Sequence, residues 1–173
     1  MSAAQALDAL DDAQARAALT RCCGASRWVE AMLARRPFGT DERLFAAAED
    51  CSATMACGDV LEAFDHHPRI GADLDALREK FAATASLSAS EQAGALGASE
   101  AELTRLRDGN VAYEARFGHI FIVCASGKTA AQMLALLEAR LDNDPDTELR
   151  VAAAEHAKIT RLRLHLLGPA SRP

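Results

Sequence analysis

Apolar residues recur along this chain at three- and four-residue spacings, interrupted by short polar, glycine- or proline-bearing stretches. That rhythm predicts helices over residues 7–22, 26–34, 41–56, 60–66, 74–83, 89–96, 99–116, 129–142 and 145–167. The boundaries carry recognisable signals. Gly24 follows the first helix, Arg36-Pro37-Phe38-Gly39 separates the second from the third, and Thr40 can cap the next start. Ser99 with Glu102 reads as a capping box, and Asp144 before Pro145 as a cap followed by a first-turn proline. Only residues 120–125, Ile-Phe-Ile-Val-Cys-Ala, have strand character, and no second strand is available to pair with them. A buried extended segment, or a short helix crossing the core, is the expectation there. The reading is an all-α, single-domain bundle of about eight or nine helices, filling residues 1–167 and ending in a flexible tail over 168–173.

Composition narrows the function. At 173 residues, half of them hydrophobic but only 5% aromatic, the chain can bury a core built mainly of alanine and leucine. A formal charge of −6 argues against nucleic acid as the main partner. No run approaches about 18 consecutive apolar residues, so no membrane span is expected. The first twelve residues lack the basic start of a secretory signal, and the ending Ser171-Arg172-Pro173 lacks a peroxisomal one. Five cysteines, odd in number and without CxxC spacing, fit reduced thiols rather than a zinc site. A cytoplasm, and a bacterial one given the alanine content, is the expected location.

Candidate chemistry begins at Ala63-Phe64-Asp65-His66-His67-Pro68-Arg69-Ile70-Gly71. Pro68 ends the preceding helix and biases His67 towards extended geometry. Val60, Phe64 and His67 share one side, so His67 is the imidazole aimed at the apolar interior, while His66 points elsewhere. At a helix C-terminus the dipole favours a protonated ring. A histidine packed on a core edge and bonded to a carbonyl would look the same.

Ser88 and Glu91 fit a capping box, which alone would account for both. Such an N-terminus also binds anions, and Glu91 with Gln92 could orient a polar ligand there. On the last helix, Ile159, Leu162 and Leu166 mark an apolar stripe, and Arg163 falls about 40° from Ile159, inside that stripe. A guanidinium so placed needs either a structural carboxylate or an anionic ligand. Ser126-Gly127-Lys128-Thr129 ends like a phosphate loop, but Ile122 stands where that motif needs its first glycine. If residues 120–125 are extended, their main-chain groups could read a flat, amide-rich ligand.

Together these stretches resemble the 2-oxo-4-hydroxy-4-carboxy-5-ureidoimidazoline (OHCU) decarboxylase family. The matching runs are Cys23-Gly24-Ala25-Ser26-Arg27-Trp28-Val29, Arg36-Pro37-Phe38, His67-Pro68-Arg69-Ile70-Gly71 and Ser88-x-x-Glu91-Gln92. They continue with Tyr113-Glu114-x-Arg116-Phe117-Gly118-His119-x-Phe121-Ile122, Gly127-Lys128, Met133-Leu134, Arg140-Leu141-x-Asn143-Asp144 and Lys158-Ile159-x-x-Leu162-Arg163-Leu164, in family order.

The resemblance implies an all-helical homodimer that works without metal or organic cofactor. Its reaction turns the ureidoimidazoline derived from urate into (S)-allantoin and carbon dioxide. It also implies that His67 is the essential histidine, that Glu91 and Arg163 act with it, and that Pro68, Ser88 and Gln92 bind substrate. Main-chain groups of Ile122, Val123, Cys124 and Ala125 complete that binding set. Asp65-His66 stands where small residues are commoner, and His119 where an apolar one is frequent. Two other readings compete: a helical binding module that has lost catalysis, and a metal-dependent hydrolase using Asp65, His66 and His67. Adjacent histidines diverge on a helix, and activity that survives EDTA would exclude the second.

Overall fold

The computed structural model describes residues 1–67, 69, 74–75, 79 and 99–168. Among these the fold is all-helical, with eight helices and no strand. The expected helices over 74–83 and 89–96 lie outside the described residues, save Leu74, Asp75 and Glu79, which are helical. The chain divides into two compact units, Met1–His67 with Ala153–Pro173, and Pro68–Ala152.

The first unit holds α1 (Ala3–Asp8), α2 (Asp12–Cys22), α3 (Ser26–Leu33), α4 (Asp41–Ala53) and α5 (Cys57–Asp65). Where one helix was expected over 7–22 there are two, and the reason is local. Asp11 accepts from Gln14 N–H at 2.8 Å and its own N–H donates to Gln14 Oε1 at 3.3 Å. This reciprocal cap starts a new helix at Asp12 that the apolar rhythm alone does not reveal. Thr40 caps α4 as expected, accepting from Arg43 N–H at 3.4 Å. Leu7, Leu19, Trp28, Met32, Leu44 and Ala63 form one core with Leu164. Buried Trp28 satisfies its indole N–H on Ser52 Oγ at 3.1 Å.

The second unit holds α6 (Glu100–Phe117), α7 (Ala130–Leu141) and the first turns of α8 (Pro145–His165). Ser99 and Glu102 form the anticipated capping box on α6, and Asp144 accepts from Thr147 N–H at 3.0 Å. Helices α6 and α7 approach closely at Gly109, where a Cβ would stand 2.5 Å from Leu137 Cδ2. Leu103, Leu106, Tyr113, Phe121, Val123, Met133 and Leu137 make this unit's core. Residues 120–125 carry no regular secondary structure, and Phe121 to Cys124 are buried in succession, so the segment is not a crossing helix.

The apolar stripe expected on the last helix is displaced. Leu162 and Leu166 are exposed, 43% and 80%, and the buried line runs through Ala152, His156, Thr160 and Leu164. Two polar members disguise that line, because hydrophobic periodicity gives them no weight.

Candidate functional site

In the first unit two of the candidate residues, His67 and Arg163, come together at the end of α5. His66 N–H donates to Ala63 O at 3.3 Å and His67 N–H to Phe64 O at 2.9 Å, closing a tight turn on buried anchors. His66 is exposed and His67 half-buried, as the facing argument expects. Gly24 lies against this turn with φ of +91°, and any Cβ there would stand 2.8 Å from the His66 side chain.

Arg163 reaches His67 from α8. Its Nη2 is 3.4 Å from His67 Nδ1, and Nη1 donates to Arg21 O at 3.2 Å and Cys22 O at 3.4 Å. Among the described residues its oxygen acceptors are main-chain carbonyls of the last turn of α2, the negative end of that helix, and no carboxylate. A guanidinium has no acceptor, so His67 Nδ1 accepts this contact and the neutral ring carries its proton on Nε2.

That ring is neutral near pH 7, contrary to the helix-dipole expectation. Burial, then the neighbouring His156, Arg163 and His66, push the His67 pKa down to about 4. Desolvation and like charge outweigh the dipole, which acts only over the last turn. His156 stacks edge-on to His67 with ring centroids 5.0 Å apart. It is 1% exposed, and burial holds its own pKa down to about 4, against the main chain of Cys23. Nε2 of both rings is buried without a hydrogen-bond partner among the described residues. Cys22 and Cys23 line α2's end as buried thiols pushed up to about 11 by desolvation.

His156 escaped the sequence reading. Its signal was the four-residue spacing of Ala152, His156, Thr160 and Leu164, visible only if a histidine is allowed on a core stripe.

In the second unit, two carbonyls of the segment from Ile122 to Ala125 are held by charged donors. Arg140 Nη1 donates to Ile122 O at 2.8 Å and Lys128 Nζ to Cys124 O at 2.7 Å. Arg140 is buried on wholly buried Glu148, with Nε 2.8 Å from Oε1. Tyr113 OH donates to the same oxygen and Asn143 Nδ2 to Oε2 at 2.8 Å. Burial and Glu148 push the Tyr113 phenol well above its usual range. The roles of Arg140 and Lys128 were not read from sequence, though Arg140 shares α7's buried face with Met133 and Leu137.

Pro68, Ser88, Glu91 and Gln92 lie outside the described residues. Among the described residues no group of three or more His, Cys, Asp or Glu side chains could hold a metal ion.

Residues 8–165 match the family described as OHCU decarboxylase. The chain belongs to the OHCU decarboxylase family. It is 39% identical over 145 residues to the "Uric acid degradation bifunctional protein TTL" of Arabidopsis thaliana, covering 83% of this chain and 44% of that protein. It is 36% identical over 73 residues to the "2-oxo-4-hydroxy-4-carboxy-5-ureidoimidazoline decarboxylase" of Amia calva, covering 42% of each. The chain thus spans less than half the length of these curated relatives.

The fold of this family member superimposes on a crystal structure of an OHCU decarboxylase in the presence of (S)-allantoin. The TM-score is 0.69 and the identity 34%, over 91% of this chain and 98% of the other. An (S)-allantoin synthase shares the fold, with TM-score 0.68 and 23% identity over 95% and 53% of the two chains. The named relatives, from Arabidopsis thaliana and Amia calva, give no support to a bacterial origin. No helix among the described residues is long and apolar enough to cross a membrane.

Proposed function

We propose that this chain decarboxylates 2-oxo-4-hydroxy-4-carboxy-5-ureidoimidazoline to (S)-allantoin and carbon dioxide, without a cofactor. The observation that carries this is a neutral His67 held by Arg163, with an unpartnered buried Nε2, in a chain of this family. His67, Glu91 and Arg163 are the proposed catalytic set. Pro68, Ser88, Gln92 and the main chain of Ile122, Val123, Cys124 and Ala125 are the proposed binding set.

The substrate's carboxylate sits on a hydroxyl-bearing carbon beside a ring C=N bond. When the carbon–carboxylate bond breaks, its electron pair forms a C=C bond and displaces the imine pair onto nitrogen, which takes a proton. The imine is the electron sink, so the chain itself need only position and move protons. The resulting enol loses its hydroxyl proton as the former imine carbon is protonated on one face, giving the (S) product.

An anionic substrate beside His67 attracts Arg163 and raises the depressed pKa of the ring, because opposite charge favours the protonated form. Binding thereby turns a weakly basic imidazole into one able to take the hydroxyl proton. Arg163 grips anionic or carbonyl oxygens by a two-pronged contact, and Glu91 orients His67 or the ureido N–H groups.

A homodimer in a reducing cytoplasm completes the proposal. Its supports are the exposed apolar Leu162 and Leu166 on α8 and five cysteines held as thiols. The test is circular dichroism during urate breakdown, with urate oxidase and hydroxyisourate hydrolase making the substrate in place. Rapid growth of the (S)-allantoin signal is expected. Slow racemic allantoin at the spontaneous rate would refute the assignment.

A further inference from the structure

Two basic side chains, on α7 and in the turn before it, fix the main chain of residues 122–125. In a trans peptide the carbonyl of one residue points opposite to the N–H of the next. Arg140 on Ile122 O therefore directs the Val123 N–H away from Arg140. Lys128 on Cys124 O likewise directs the Ala125 N–H away from Lys128. Neither N–H meets an acceptor among the described residues, and Val123 is only 4% exposed. Native structures rarely bury a main-chain donor without a partner, so donors left open beside pinned carbonyls await an acceptor.

The pin itself is braced. Arg140 spends its other donors on Glu148 and Tyr113 OH, stacks over Phe121 at 4.6 Å, and cannot swing without stranding a buried carboxylate. A neutral core would have been cheaper to build than this charged network, which suits a part whose task is orientation.

We propose that Arg140 and Lys128 are positioning residues that set these two peptide planes, so that the N–H groups of Val123 and Ala125 face the ligand and donate to its carbonyl or carboxylate oxygens. This rests on the proposed function for the site and adds to it two residues that touch no substrate.

The test uses the full chain, labelled with ¹⁵N and titrated with (S)-allantoin. The amide signals of Val123 and Ala125 are expected to move downfield with saturation. Lys128→Met should abolish the Ala125 response, weaken (S)-allantoin binding about tenfold, and raise KM by more than it lowers kcat. Lys128→Arg should restore all three. The paired change Arg140→Met with Glu148→Leu removes both buried charges together, so a folded protein with a silent Val123 is expected. A wild type that turns over, whose two amides ignore (S)-allantoin or whose Lys128→Met variant binds it normally, overturns this proposal alone. A wild type without turnover or (S)-allantoin binding removes the functional reading and this proposal together.

Discussion

Arg163 lies 3.4 Å from His67 Nδ1 while its other terminal nitrogen donates to the carbonyls that close α2. One guanidinium thus fixes the tautomer of an imidazole and neutralises the negative end of a helix. These two duties are separable by substitution. Arg163→Met should weaken substrate binding at least tenfold, since a lost charge-assisted contact is worth about 1.5–3 kcal/mol. It should cost the fold less, about 0.3–1 kcal/mol for a vacated helix end. A KM that rises far more than the melting temperature falls supports the division, and matching losses would contradict it.

His67→Asn keeps a polar, similarly shaped side chain but cannot shuttle a proton. A fall in kcat of about 10²-fold or more is expected, the usual contribution of a positioned acid–base group. The melting temperature should hold or rise slightly, because the imidazole it replaces already carries an unpartnered buried nitrogen. Wild-type turnover by this variant would sink the assignment of His67.

Stability should form a plateau bounded by two groups of residues in the first unit. His67 and His156 bind protons with pKa values near 4 when folded and near 6.5 when unfolded. The unfolded chain therefore takes up more protons between those values, and stability falls as pH drops from about 6.5 towards 4. Cys22 and Cys23 titrate near 11 in the fold against 9 unfolded. The unfolded chain releases their protons first, so stability falls again as pH rises from about 9 towards 11. Chemical denaturation across pH reads both edges. His156→Gln should flatten the acid edge and leave the alkaline one, and an unchanged acid edge would discount His156.

Gly24→Ala combines a left-handed φ of +91° with a Cβ only 2.8 Å from His66. Backbone strain of this kind costs about 1–3 kcal/mol. Since the displaced residue neighbours His67, activity should fall beyond what the lowered melting temperature explains. Thermal melts and turnover measured on the same preparation check this. A variant with unaltered stability would show that the turn yields easily.

Much of the architecture could be read from the chain because its helix starts are local devices. Ser99 with Glu102, Thr40 and Asp144 cap where the residue types said they would. The break between α1 and α2 was missed because Asp11 and Gln14 signal a start inside an unbroken apolar rhythm. The facing of His67 followed from helical geometry, whereas its charge state did not. That state depends first on burial and then on His156 and Arg163, which are about ninety residues away in sequence. The buried line of α8 was misassigned because His156 and Thr160 occupy it, and the polar network around Arg140 was invisible for the same reason. Periodicity finds apolar faces, and this protein places polar groups on two of them.

Helix α8 has a consequence for how this sequence can vary. Within the first unit His156 stacks on His67, and Arg163 further along the same helix reaches the same ring. A single inserted or deleted residue between them would turn one relative to the other by about 100° and shift it about 1.5 Å. Either His156 or Arg163 would then point the wrong way, whatever residue was added. The helix works as a ruler: its surface letters are free to drift, but the count of residues from His156 to Arg163 is not.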